Sequence, residues 1–273
     1  MAAVFFTGTV LGLRASGIYV VLTEDGATGS LTYQQTSLPL VHRTRHDTDR
    51  LLEEYRGNRL ERALGDGAYE VRVRIDDLEM SLDLRPTGPA LTLGPQPVGQ
   101  NKVEEVVIVP RGAAAARIVR GRDTLTAFGS GLMQHAWGDP PELEAAGTVL
   151  AIVLDDGTTV SVLHGESTDS HSLAVAQPNG TPVVTSEFDL RAGSTVAAGP
   201  AGNRFGVEWR ITSDAADVDL TIEFAGEGQE VALASIPYWF ARCSVAGVVG
   251  DQRVEGVGHV YVRASSGTSG PSR

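Results

Sequence analysis

Cysteine, basic residues and aromatic rings are all scarce in this 273-residue sequence. The one cysteine, Cys243, rules out an intramolecular disulfide. It sits in the apolar run YWFARCSVAGVV, where burial as a small hydrophobe is expected rather than work as a nucleophile. A chain without disulfides suits a reducing compartment, so the expected location is cytoplasmic. Lysine and arginine together number 22 against 34 acidic residues, a net charge of -12, with no basic stretch. Such a surface repels a phosphate backbone and an anionic bilayer, so neither nucleic acid nor membrane insertion is expected. No hydrophobic run reaches the length of a transmembrane helix. The opening MAAVFFTGTVLGLRASG has no basic residue ahead of its apolar part, and Thr7, Gly8 and Thr9 interrupt it. It reads as a first β-strand rather than a signal peptide.

Several motifs are missing too. There is no glycine-rich phosphate loop, dinucleotide fingerprint or GxSxG turn. The six histidines (42, 46, 135, 164, 171 and 259) form no HExxH pattern, and His42 and His46, beside Arg43 and Arg45, read as solvated surface. No metal and no cofactor is implied.

What is present is alternation. EVRVRI turns at Asp76–Asp77 into LEMSLDL, VLAIVL turns at DDG into TTVSVL, and SLAVAQ turns at PNG into TPVVTSEFDL. VEWRITS pairs with DVDLTIEF, and YWFARCSVAGVVG with RVEGVGHVYVRA. Each is a hairpin with a turn-forming centre. The one helix candidate runs from Asp47 to about Tyr55, broken by Gly57 and Asn58, and NRLERAL-GDG-AYEVRV beyond the break reads equally as a strand leading into the next hairpin. RPTGPALTLGPQPVGQNK, from Arg85 to Lys102, is proline- and glycine-rich and reads as a long connection. RAGSTVAAGPAGNR reads as a flexible loop and SSGTSGPSR as a disordered tail. The fold class expected is all-β, with two β halves meeting near residue 113.

Within GSGLMQHAWGDPPE, Gly129 to Glu142, His135, Trp137 and Asp139 fall within five positions. An aromatic ring is costly in water and the titratable groups are costly to bury alone, so this segment is read as a loop packed into a cavity wall. Other polar-tipped rings lie on apolar strands: His164 on the face of Val160 and Val162, His259 and Tyr261 opposite Val260 and Val262, and Tyr238, Trp239 and Trp209. Core packing accounts for each taken singly. Together they favour a lined cavity of the kind a closed barrel supplies.

These residues also carry a resemblance. GSGLMQHAWGD followed by LAIVLDDGTTVSVLHGES resembles the carotenoid 1,2-hydratase/AttH-like family, whose segment runs approximately G-x-A-W-x-D-H-E-W-G, strand, L-D-D-G, strand. MSLDLRPTGPALTLG and VAGVVGDQRVEGVGHVYV are similar to two further segments of that family, in the same order, from about residue 68 onward. His135, Trp137 and Gly138 match. The motif's glutamate is Ala136 here, the aspartate before its histidine is Gln134, and the closing tyrosine and glutamate positions hold His259 and Tyr261. The resemblance implies two tandem lipocalin-like antiparallel β-barrel or sandwich domains, at 1–112 and 113–265 with a tail at 266–273, related in fold to lipocalin-like Diels–Alderases.

The leading expectation is a cofactor-independent cyclase or isomerase of natural-product biosynthesis. It would shape a hydrophobic polyene or polyketide-like chain for a [4+2] or related cyclisation. Trp137, Trp209, Tyr238 and Trp239 would shape the pocket, with His164 and Glu187 contributing to substrate binding. His135, His259 and Tyr261 would hydrogen-bond a carbonyl or hydroxyl, and Asp139 would orient His135. Losing two carboxylates counts against hydration, which needs a strong acid to protonate an alkene, and less against a pericyclic step. A hydratase using Asp139 or Glu187 is the runner-up, and a non-catalytic carrier of an apolar small molecule is the third reading. The partner expected is a hydrophobic small molecule; the oligomeric state is left open.

Overall fold

In this computed structural model the described residues are 2–10, 13–23, 30–37, 42–47, 50–62, 67–88, 90–93, 96–99, 102–138, 147–165, 171–178, 180–193, 196–198, 204–224, 229–233 and 236–263. For 2–50, 55, 96–105, 110, 136–138, 196–198, 204–205, 229–238 and 263 the description covers the backbone only. All regular elements among the described residues are strands, and every pairing described is antiparallel.

The first twelve strands are β1 (Ala2–Val10), β2 (Leu13–Thr23), β3 (Ser30–Ser37), β4 (His42–Asp47), β5 (Arg50–Tyr55), β6 (Asn58–Arg62), β7 (Tyr69–Ile75), β8 (Leu78–Pro86), β9 (Leu91–Thr92), β10 (Gln96–Gly99), β11 (Lys102–Arg120) and β12 (Asp123–Gly138). Then follow β13 (Gly147–Leu154), β14 (Thr159–Gly165), β15 (His171–Ala176), β16 (Val183–Thr185), β17 (Asp189–Ala192), β18 (Val196–Ala198), β19 (Arg204–Gly206), β20 (Glu208–Ser213), β21 (Val218–Phe224), β22 (Gln229–Leu233), β23 (Ile236–Val249) and β24 (Gln252–Arg263).

The chain divides into two compact units. One holds residues 1–87 and 111–132, the other 88–110 and 133–273. In the first, β1, β2 and β3 form a three-stranded sheet, and β4 to β8 form a meander extended by the second half of β11. Val71, Val73, Ile75, Leu78 and Met80 alternate with charged neighbours and bury together, so the EVRVRI hairpin forms as its period requires. The helix candidate at Asp47–Tyr55 is instead the β4–β5–β6 hairpin region. Arg56 and Gly57 both hold positive φ, 47° and 81°, as a two-residue hairpin turn demands. Closure of that turn places Asn58, fully buried, where its Oδ1 accepts the Arg74 N–H at 2.6 Å. This bond fixes the hairpin to β7 and explains why helix propensity loses.

The second unit is a long sheet in the order β16-β15-β14-β13-β24-β23-β21-β20-β17, with β22 on β23. Its inner face is one apolar cluster that includes Leu150, Ile152, Val162, Leu173, Ile211, Leu220, Ile222, Trp239 and Val260. Each such side chain contributes roughly 1.5–3 kcal/mol by leaving water. β20 and β21 alternate buried and exposed, whereas β13, β14 and β15 are buried on both faces. The DDG turn is locked by its own carboxylates. Asp155 Oδ1 accepts the Asp156 N–H at 3.0 Å, and Asp156 accepts the Thr158 N–H at 2.7 Å and the Thr158 hydroxyl at 2.9 Å. Gly157, at φ 86°, takes the left-handed position that ends the turn.

The segment Arg85–Lys102 is more than a connection. β9 and β10 pair with the first half of β11, and Leu91 and Leu93 are buried. Its partner lies further along the chain, which local alternation does not register. Within 191–204, residues 196–198 form β18, paired with β19.

Candidate functional site

The histidine–tryptophan segment was expected to be a loop, but β12 continues as a strand through Gly138. Gly131 sits where a Cβ would come within 2.9 Å of Leu84 Cδ1, so glycine there serves close packing between strands rather than a turn.

Late in β12, Gln134 and His135 are half-buried. Gln134 Nε2 donates to Tyr261 Oη at 2.9 Å, a bond spanning 127 positions. It ties the segment carrying the family motif to the closing strand. Tyr261 pairs in register with Phe240 on β23 and Val149 on β13, and its ring lies 6.0 Å from that of Phe240 at a 38° tilt. His259 pairs with Arg242 and Ala151. Tyr261, His259, Val257, Phe240 and Arg242 therefore share the outer face of β23–β24, opposite Val260 and Val262 in the core. Val257 is exposed there, so the cluster joins apolar area to hydroxyl, amide and imidazole tips. Alternation along β12 turns His135 to the other face of that strand from Gln134. The residue that meets Tyr261 is thus a departure from the family motif, and only the tertiary pairing reveals it.

The other candidates divide differently. Trp209 and Trp239 face the inner core, joined through Phe224: ring centroids are 6.1 Å apart at 89° and 5.3 Å apart at 78°. Such edge-to-face contacts are favourable packing. Trp209 Nε1 donates to the Gly206 carbonyl at 2.8 Å, and Trp239 is 1 % exposed. These rings fill the inner face rather than line a hollow, and the expectation of an open cavity there is corrected. The cause is volume, since leucine, isoleucine and valine from seven strands occupy the space between them. Glu187 is exposed: its N–H donates to Thr185 Oγ1 and its carbonyl accepts from Ser213 Oγ, leaving the carboxylate toward solvent. The side chains of Trp137, Asp139 and Tyr238, and those of His42 and His46, lie outside the described residues.

His164 lies on the inner face, beyond Val160 and Val162. Its register partner is His171, and the two Nδ1 atoms are 2.9 Å apart. His171 Nε2 is 3.0 Å from the Phe188 carbonyl oxygen, and its ring stacks on Phe188 at 3.8 Å and 6°. Burial, then the neighbouring His171, pushes the His164 imidazole below its ordinary value. Burial pushes the Cys243 thiol up to about 12, in keeping with a small hydrophobe. Two open grooves occur on outer faces: one of about 480 Å³ beside Arg191, Glu208, Arg210 and Asp219, and one of about 420 Å³ beside Arg72, Arg74, Glu79 and Arg117. Both are lined by charged groups. Among the described residues no three metal-binding side chains cluster, and no helix is long and apolar enough to cross a membrane.

An all-antiparallel chain with this long curled sheet and a polar-tipped outer cluster is a lipocalin-like β protein. More narrowly, residues 20–263 match the AttH-like family, and the chain belongs to it. The match extends upstream of the segments that carry the resemblance in sequence. Its fold is similar to that of a Nitrosomonas europaea protein assigned as AttH, with TM-score 0.78 at 15% identity over 96% of this chain and 86% of that one. Kievitone hydratase of Nectria haematococca follows, with TM-score 0.74 at 13% identity over 96% and 82%. CghA has TM-score 0.58 at 11% identity over 97% and 87%. No curated protein matches in sequence.

Proposed function

We propose that this protein is an enzyme that binds a hydrophobic polyene or polyketide-like chain and promotes its cyclisation or isomerisation without a cofactor. The observation that carries this reading is the Gln134–Tyr261 bond, which brings the HAW segment onto the strand bearing His259. Val257, Phe240 and Tyr261 offer apolar contact for a chain, and the tyrosine hydroxyl and the His259 imidazole offer hydrogen bonds to a carbonyl. In this reading Trp137 adds contact area, Asp139 orients His135, Trp209 and Trp239 support the shape from the inner face, and Tyr238 adds to the pocket.

The named polar groups of the outer cluster are an amide, a phenol, a guanidinium and one imidazole, that of His259. None of these described groups is a carboxylic acid, and the Asp139 carboxylate is read here as orienting His135, which supports positioning over hydration. Orientation alone supplies up to about 7–11 kcal/mol in well-aligned cases. Among proteins of this fold, one is named a hydratase, so the experiment separates the two chemistries. The protein is incubated with linear polyenes in ¹⁸O-labelled water, and ring products are compared with the uncatalysed mixture. A changed ring ratio without label supports the proposal. Label in the product identifies a hydratase, and tight binding without turnover identifies a carrier. Tyr261→Phe is expected to lower turnover about tenfold by removing one hydrogen bond to the developing charge.

A further inference from the structure

The inner face of the second unit ends in a row of polar groups that the outer cluster does not use. By register, His171 on β15 lies beside His164 on β14, and His164 beside Thr148 on β13. Val262 and Trp239 continue the row on β24 and β23. Register partners on one face hold their Cβ atoms about 4.5–5.5 Å apart. Thr148 is 1 % exposed, and its Oγ1 has no hydrogen-bond partner. A buried hydroxyl left unpaired is costly, and native structures rarely keep one without something to satisfy it.

The hydrogen bonds fix the tautomers. The Phe188 carbonyl can only accept, so His171 Nε2 carries a proton. A neutral His171 then has a bare Nδ1, and His164 Nδ1 must donate to it across 2.9 Å. A neutral His164 is left with a bare Nε2, an acceptor. Both rings are half-buried, at the end of β14 and the start of β15, and so keep part of their surface toward solvent at the end of the row. The row therefore sets the residue with an acceptor nitrogen in register beside the one with an unsatisfied hydroxyl, while Phe188 stacks on His171 at the far side of His164. One functional group complements both at once: a hydroxyl, which donates to the nitrogen and accepts from the threonine.

We propose that Thr148 and His164, with His171 and the Phe188 carbonyl fixing the tautomer, form a binding site for the hydroxyl of an aromatic or otherwise apolar alcohol or phenol. This site lies on the opposite sheet face from the Tyr261 cluster and stands independently of the cyclisation proposal.

The test uses 2-naphthol and naphthalene as probes on the full chain, with affinities read by fluorescence. Wild-type protein is expected to prefer 2-naphthol by about tenfold, the worth of roughly one hydrogen bond. His164→Phe and the near-isosteric Thr148→Val should each bring the ratio close to one, the two probes being compared within the same variant so that a change in apolar affinity common to both cancels. No preference in the wild type would mean that water alone occupies the row, and would overturn the proposal. A preference that survives both substitutions but disappears in Tyr261→Phe would place the hydroxyl on the outer cluster and overturn it equally. Imidazole ¹⁵N spectra give a second measurement independent of binding. His164 should be the Nδ1–H tautomer and His171 the Nε2–H tautomer; the reverse assignment refutes the relay.

Discussion

Cys243 sits in hydrocarbon, with a Gly258 backbone group as its near polar neighbour, and its thiol stays protonated far above neutrality. Native protein at pH 8 should therefore react with a disulfide reagent only as fast as it opens, with full reactivity in denaturant. Rapid stoichiometric labelling of native protein would contradict the burial. His164 behaves in the opposite sense. Its imidazole is lowered from 6.5, first by burial and then by His171, so the folded state resists protonation more than the unfolded chain does. Its contribution to stability is complete above about pH 6.5 and is lost as pH falls through the lower folded value. The denaturant midpoint should drop as pH falls below 6.5, and the drop should be smaller in His164→Phe. At this scale the burial of Cys243 was legible from its neighbours in sequence, because an apolar alternating run has few other places to put a thiol. That Gln134 meets Tyr261 was not legible, because the two are 127 positions apart.

Hairpins are the element the sequence describes best. EVRVRI–LEMSLDL, VLAIVL–TTVSVL and the β23–β24 pair formed with the turns their residues indicate, since side-chain period and turn chemistry both act within one hairpin. Elements decided by distant partners were harder to read. β5 could pass for a helix because Leu51, Leu52 and Tyr55 suit either period, and β9 could pass for a loop because its partner is β11. Curvature also belongs to this scale. Gly258 faces inward on β24, where a Cβ would lie 2.7 Å from the Ala151 carbonyl oxygen and 3.0 Å from Cys243 Sγ. Gly258→Ala must push strands apart and should cost about 1–3 kcal/mol, measurable in chemical denaturation. An unchanged midpoint would show that the sheet yields freely there.

Across the whole molecule the chain passes between its two units three times, after residues 87, 110 and 132. The second unit is therefore not a continuous stretch of sequence. Leu91, Leu93, Val106 and Ile108 are almost wholly buried, and all lie within 88–110, the stretch that groups with 133–273. A fragment 133–273 lacks them and should expose apolar surface and fail to give dispersed NMR spectra. A fragment 88–273 should retain more structure, and equal behaviour of the two would mean that 88–110 is dispensable.

Taken alone, the sequence determined the strand class, most hairpins and the inert cysteine, because these follow from side-chain period and turn residues over short spans, and its motifs carried the resemblance to the family. Only the tertiary structure decided which face each ring occupies, and it set Gln134 rather than His135 against Tyr261. It also filled the inner face with packed side chains and aligned Thr148, His164 and His171 in one row. Those outcomes depend on register between strands. Burial of a whole face fixes that register, and no single segment carries it.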